Sequence, residues 1–472
     1  MTLTFPVKYS VTALILLTIV GCRSLEQTHF APQAQYHTKQ QQRLLSELLE
    51  KESNTELKQE PDSVMLLSSL INEPALDAYI NSALQHNPSL QQSLTALKVA
   101  YAQQGITSSS LLPSVNGGFS AQVDEVDDAS QNKTYATEIT VAWELDLWQK
   151  LANTNSAALK DIVSSQANVQ AAKNLLVANV MRAWLDLILQ QQLVSIESQR
   201  LITLDNNQAL ILARYKAGLG SLEDWDNAKA SRDSTKATLA KYQQQWRESR
   251  RHLHWLTGRT DDDSTLPQES DLASFPAVIT PLNSASVHNL AGRPDLQSAF
   301  ANIEAQTLRA NAAYKAMLPS ISLSASLKDM AQSPSEALLT GPLWSALGQI
   351  SAPLFQGGKL KSEAELADLN AEMSYWLYQE ALLKAVNEVE NAVDQESSLS
   401  TQQQHQSAAL ASAQRSFTSY EQKYRQGIVD ILALLSVQQQ TYDLQTQLTN
   451  TLYNRLNNRI DLGLALGLGV SS

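Results

Sequence analysis

The chain has 472 residues, 43% of them apolar, including 7 Phe, 8 Trp and 14 Tyr, which argues against wholesale disorder. Only 16 Gly and 14 Pro are present, well below the usual ~7% and ~5%, which excludes a loop-rich or many-stranded protein throughout and favours long helices. A net charge of −12 argues against nucleic acid, and one cysteine excludes a disulfide framework or a multi-cysteine metal site.

Residues 1–21 carry one charge, Lys8, then a mostly apolar run over 11–20 and a small-residue exit at Gly21, the pattern of a secretory signal. The run is too short to cross a bilayer, which takes ~20 residues. Ile19-Val20-Gly21-Cys22 resembles a bacterial lipobox, in which cleavage precedes the cysteine and its thiol is diacylated. Cys22 is therefore the expected lipidation site, and with Arg23 rather than Asp after it the resemblance implies delivery to the outer membrane. Residues 23–70 are Gln-rich with little periodicity before Val64, and either wrap the body or link it to the anchor.

Beyond this point the chain repeats itself. Asn87-Pro88-Ser89-Leu90-Gln91 returns as Arg293-Pro294-Asp295-Leu296-Gln297, and Leu112-Pro113-Ser114-Val115 as Leu318-Pro319-Ser320-Ile321, both 206 residues later. Lys150-Leu151 returns as Lys359-Leu360, and Arg214-Tyr215-Lys216-Ala217-Gly218 as Lys423-Tyr424-Arg425-Gln426-Gly427, both 209 residues later. Four segments in register identify a duplicated unit.

Between the repeated Pro and the repeated Lys, apolarity has period two. Val115, Phe119, Ala121 and Val123 alternate with Asn116, Ser120, Gln122 and Asp124. Tyr135, Ile139, Val141, Trp143 and Leu145 alternate with Thr134, Glu138, Thr140 and Glu144. Ile321, Leu323, Ala325 and Leu327 alternate with serines and Lys328, and a weaker run holds Trp344, Ala346, Ile350, Ala352 and Leu354. Such lengths suit tilted membrane strands of ~9–11 residues. Four strands cannot close a barrel, since single-chain barrels begin at about eight, and an open edge in lipid leaves backbone groups unpaired. Several copies must then pool their strands.

No Gly or Pro lies between Gly118 and Gly218, or between Gly358 and Gly427. Segments 150–218 and 359–427 are rich in good helix formers and would each reach ~100 Å as one helix. Leu176, Val180, Ala183 and Leu187 have heptad-like spacing, and the first three match Ala385, Val389 and Ala392. Returning helices are expected over 221–257 and 428–462.

These residues resemble the TolC-like outer-membrane efflux channel family, in its NodT-type lipoprotein branch. The carriers are Asn87-Pro88-x-Leu90, Leu112-Pro113-Ser114, Trp143-Glu144-Leu145-Asp146-Leu147, Tyr215-x-x-Gly218, Leu354-Phe355-Gln356-Gly357-Gly358-Lys359 and Tyr424-x-x-Gly427 with Ile428-Val429-Asp430-Ile431-Leu432. The resemblance implies a mixed α and β membrane protein. It would be a homotrimer with a 12-stranded transmembrane β-barrel, continued by a long periplasmic α-helical barrel. It implies docking onto a periplasmic adaptor and an inner-membrane RND-type pump, conduction of drugs or other small molecules without chemistry, and no cofactor beyond the lipid on Cys22.

Implied adaptor-docking tips are Tyr215, Gly218, Leu219, Tyr424, Gly427 and Ile428, with Val429 beside them. Relatives often close their aperture with two aspartates, where this chain has Ala433 and Ser436, so Asp224 and Asp430 are the remaining aperture candidates. The resulting division is a signal at 1–21, a lipidated segment at 22–70, a first repeat at 71–258 and a linker or equatorial belt at 259–284. A second repeat at 285–462 and a tail at 463–472 follow. Strand hairpins are expected at 113–148 and 319–356, and helical tips near 218 and 427. No enzymatic constellation emerges: His252 and His254 point to different helix faces, and Asp261-Asp262-Asp263 lacks the rest of a calcium loop. Alternatives are a channel for secreted proteins or peptides, and a lipid-anchored periplasmic coiled-coil adaptor.

Overall fold

The computed structural model of the chain describes residues 30–52, 67–71, 73–127, 130–258, 274–276 and 287–470. Cys22, the signal segment and most of the expected linker lie outside the described residues.

The duplication is expressed almost residue for residue. In the first repeat, α2 (Pro74–His86) and α3 (Pro88–Ser109) lead into β1 (Ser114–Asp127) and β2 (Ser130–Leu145), then α4 (Lys150–Lys216) and α5 (Leu222–Leu256). In the second, α6 (Pro294–Lys315), β3 (Ser320–Ala331), β4 (Leu343–Ser351), α7 (Lys359–Arg425) and α8 (Ile431–Ala465) follow the same order. Helices α4 and α7 have 67 residues each, and α5 and α8 have 35 each. Helix α8 runs three residues into the segment expected as a tail. There Gly463 lies so close to Leu70 and Leu67 that a Cβ would meet Leu70 Cδ1 at 2.8 Å.

Two expected hairpins form a single antiparallel sheet in the order β1-β2-β3-β4, because β2 pairs with β3 across the repeat boundary. The register aligns Gly117, Ile139, Leu327 and Trp344 in one row and Val115, Val141, Ala325 and Ala346 in the next. A third row holds Leu145, Ile321 and Ile350. One face of all four strands is thus predominantly apolar. The other carries Asn116, Thr140, Ser326 and Ser345 in one row and sets Glu138 opposite Lys328.

The helices beneath keep the order of the strands they continue: α3 packs on α4, α4 on α6 and α6 on α7. Farther from the sheet the order becomes α5, α4, α8, α7. The apolar core lies between these rods, with Val177, Val180, Met181, Leu185 and Ile188 of α4 against Leu456 and Ile460 of α8. A second cluster joins Leu296 and Ile303 of α6 to Leu382, Ala385 and Val389 of α7.

Repeated sequence motifs have mechanical reasons. Asn87 caps α3, its Oδ1 accepting from Ser89 N at 2.9 Å and Leu90 N at 3.1 Å. Its Nδ2 donates to Leu256 O at 2.9 Å, closing the end of α5. The counterpart Arg293 does the same for α8 by donating to Ala465 O at 3.0 Å, and it also pairs with Asp295 and Glu388. In Trp143-Glu144-Leu145-Asp146, Trp143 Nε1 donates to Leu111 O at 3.0 Å, Glu144 pairs with Lys150, and Asp146 accepts from Leu151 N and Ala152 N to start α4.

The Gln-rich stretch left open by the sequence contains α1 (Phe30–Glu52), which packs along α7. Ala34, Thr38 and Leu45 are buried, Phe30 stacks on Tyr375, and the Thr38 and Tyr378 hydroxyls are hydrogen-bonded. This part of the segment wraps the body.

Candidate functional site: the strand face and the helical tips

Both long helices end in the same six-residue device. Gly218, at φ +71°, donates from its N–H to Tyr215 O at 3.0 Å, and Leu219 N donates to Arg214 O at 2.9 Å. Gly427, at φ +75°, donates to Tyr424 O at 3.0 Å, and Ile428 N donates to Lys423 O at 2.9 Å. This is the Schellman arrangement, in which a left-handed residue lets the last carbonyls find donors. Ordinarily the residue after the glycine folds back onto an apolar side chain one turn earlier. Here that earlier residue is Arg214 or Lys423, and Leu219 and Ile428 remain 70% and 66% exposed. Two apolar side chains are therefore held in water at the turns by backbone geometry that does not need them there.

The tips are not equivalent. Tyr215 is 43% exposed, whereas Tyr424 is buried with Ile211, Ala228, Ile431 and Leu434, where the two helical hairpins meet. The Arg214 guanidinium lies 5.2 Å from the Tyr424 ring centre. Burial pushes the Tyr424 hydroxyl above its usual range, with Arg214 opposing and Asp224 adding to the shift. Tyr424 thus fastens one hairpin to the other, and among the expected tip residues Tyr215, Leu219 and Ile428 present large side chains outward. Val429 is half-buried against the inter-hairpin cluster. Sequence alone could not separate Tyr215 from Tyr424, because the distinction arises from which side of each repeat has a neighbour.

Both aperture candidates have capping duties. Asp224 closes a capping box on α5, its Oδ2 accepting from Ser221 N at 3.1 Å while Ser221 Oγ accepts from Asp224 N at 3.1 Å. Asp430 caps α8 by accepting from Ala433 N at 2.7 Å. Ala433 is half-buried and Ser436 exposed.

Above the tips, the α4–α8 seam carries polar contacts that sequence reasoning missed. Asn207 Nδ2 donates to Gln438 Oε1 at 2.9 Å, the Thr203 and Tyr442 hydroxyls are 3.0 Å apart, and Arg200 stands 3.5 Å from both Glu197 and Asp443. Glu197 is buried, and desolvation raises its carboxyl above the usual range although Arg200 pulls it down. Their pairing depends on two helices more than 200 residues apart in sequence, so no local pattern marks them.

At the other end, the sheet leaves β1 and β4 without partners on their outer sides among the described residues. Trp344, Ile350, Leu354 and Phe355 are 80%, 72%, 95% and 90% exposed. No helix among the described residues is long and apolar enough to cross a membrane. A sheet with one apolar and one polar face, and two open edges, is suited to lipid on one side and water on the other.

Comparison with known proteins agrees with this geometry. The sequence profile of the outer membrane efflux protein family matches residues 79–259 and 286–468, one stretch per repeat. The probable outer membrane lipoprotein SilC of Salmonella typhimurium is 24% identical over 403 residues, covering 84% of this chain and 86% of the relative. The pyoverdine export outer membrane protein OpmQ of Pseudomonas putida is 24% identical over 410 residues, covering 84% and 86%. Among solved structures, the CmeC outer membrane channel of Campylobacter jejuni superposes with a TM-score of 0.78 at 20% identity, covering 88% of this chain and 91% of the other.

Proposed function

This chain belongs to the outer membrane efflux protein family, and we propose that three copies form the exit duct of a tripartite efflux pump. The observation that carries the proposal is the open four-stranded sheet over helices in the same lateral order, with β1 and α3 at one edge and β4 and α7 at the other. An edge left open in lipid costs several kcal/mol for each unpaired backbone group, so closure by further copies is obligatory if the strands span the membrane. Copies joined edge to edge would place β4 beside the next β1, with three sheets supplying 12 strands. The apolar rows would face lipid, and Asn116, Thr140, Ser326 and Ser345 would face the water-filled lumen. The same closure covers the exposed Leu366, Leu369, Met373, Trp376 and Leu377 of α7 and Val99 and Ile106 of α3.

In this reading the duct conducts passively and catalyses nothing, and the pump supplies the energy. Cys22 carries the lipid that tethers the duct to the outer membrane. Leu219, Ile428 and Tyr215 offer apolar contacts to the helical hairpin of a periplasmic adaptor, which links the duct to an inner-membrane RND-type pump. Relatives named for cation efflux, pyoverdine export and toluene efflux align over most of this chain, so the substrate class is set chiefly by the pump. Small-molecule export is favoured over protein secretion because the named relatives are efflux and export proteins. The test is conductance of the purified protein in planar bilayers. Stepwise channels whose conductance falls when Ser326→Trp and Ser345→Trp narrow the lumen support the reading. Bilayers left silent by a correctly folded preparation contradict it.

A further inference from the structure

The duplication supplies a template for the joint between copies. Within one chain, α4 of the first repeat packs against α8 of the second. Moving 209 residues along the repeat converts α4 to α7 and α8 to α5, and these two are the lateral edges of the lower helical layer. The α4–α8 seam inside the chain therefore predicts the register of an α7–α5 seam between neighbouring copies. Its rungs are Arg200 with Asp443, Thr203 with Tyr442, and Asn207 with Gln438.

Farther up, the in-chain seam is mainly apolar, with one ion pair between Arg182 of α4 and Asp461 of α8. Met181 and Leu185 of α4 share one buried apolar cluster with Leu456 and Ile460 of α8. The counterparts of Met181 and Leu185 are Glu390 and Asp394, and those of Leu456 and Ile460 are Arg247 and Arg251. All four are exposed in the single chain, and none is given an ion pair by the described residues. Two carboxylates thus stand on one open edge and two guanidiniums on the other, at positions the fold would bring together. Just above them, Leu383 and Trp255 are 61% and 67% exposed on the same two edges.

We infer that the joint between copies is an ionic lock, in which Glu390 and Asp394 of one subunit pair with Arg247 and Arg251 of the next. The occupant of this edge is a second copy of the chain, because the two edges complement each other in charge and share the register of an existing seam. The lock rests on the trimer reading and adds to it a reason for subunit order. A mainly apolar seam like the one inside the chain would let repeats associate out of sequence, whereas opposite charges admit only α7 against α5 and reject like against like.

The test uses the full-length protein in detergent. Reversing one side, as Glu390→Arg with Asp394→Arg or as Arg247→Glu with Arg251→Glu, is expected to lower the trimer fraction at least tenfold by native mass spectrometry. Combining all four reversals is expected to restore it. Circular dichroism of each variant should match the wild type, since these side chains are exposed in the single chain. A second variant, Arg251→Cys with Asp394→Cys, is expected to cross-link copies under oxidation. A wild-type trimer indifferent to both reversals and silent in cross-linking overturns the lock alone. A wild type that is monomeric overturns the trimer reading and the lock with it.

Discussion

Leu219 and Ile428 give the sharpest functional prediction, because their exposure has no structural purpose within the chain. Replacing both with Ser removes side chains that are 70% and 66% exposed, so the free protein should lose no more than about 0.5 kcal/mol per site. Full burial of a Leu or Ile is worth ~1.5–3 kcal/mol, and roughly two-thirds of that remains available to a partner at each site. The pair should therefore contribute about 2–4 kcal/mol to docking, or roughly 30- to 700-fold in affinity. The assay is binding of wild type and double variant to the adaptor that co-purifies with the wild type, with thermal unfolding of both proteins as the control. A drop in affinity of that size at unchanged melting temperature is expected. Unchanged affinity refutes the docking role, and a large drop in melting temperature refutes the argument that these side chains are structurally idle.

Three further outcomes follow from the same geometry. Gly258→Ala should destabilise the protein well beyond Gly427→Ala in thermal unfolding, although both have positive φ. The added Cβ at Gly258 would lie 2.4 Å from His86 O, whereas at Gly427 nothing lies within 4 Å and only the left-handed strain of about 1–2 kcal/mol applies. Ala325→Arg should cost ~2–4 kcal/mol of folding in bilayers, and its neighbour Ser326→Arg little, because they lie on opposite faces of β3; equal effects would contradict the assignment of the lipid face. Glu197 has a carboxyl raised by burial, so the folded state holds its proton more tightly than the unfolded state does. Its contribution to stability is therefore lost as pH rises through the raised value, and Glu197→Gln should raise the melting temperature at pH 7.5 with little change at pH 4.

Much of this fold was legible because both periods are strong and the duplication confirms each element twice. The 209-residue offset locates both tips and both pairs of helices, and the period of two locates the strands. Helix α1 was not legible, since its buried Ala34, Thr38 and Leu45 are three small anchors among glutamines. Nor was the joining of two hairpins into one sheet, because pairing of β2 with β3 depends on packing between α4 and α6 beneath. At the tips, sequence identified the glycines but not the burial of Tyr424 or the capping roles of Asp224 and Asp430. Caps and inter-hairpin contacts depend on neighbours that local spacing does not reveal. The expected lipidation of Cys22 comes from the lipobox alone, since that residue lies outside the described residues.

The central claim is that several copies of a four-stranded chain complete one pore, and the native mass of the protein extracted from outer membranes in mild detergent tests it most directly. A mass of three chains, each at most the 51.9 kDa of the full sequence and stable without any partner, is the expected result. A folded monomer that stays in solution without detergent when Cys22 is replaced by Ala would contradict it, since four strands cannot close a barrel in lipid.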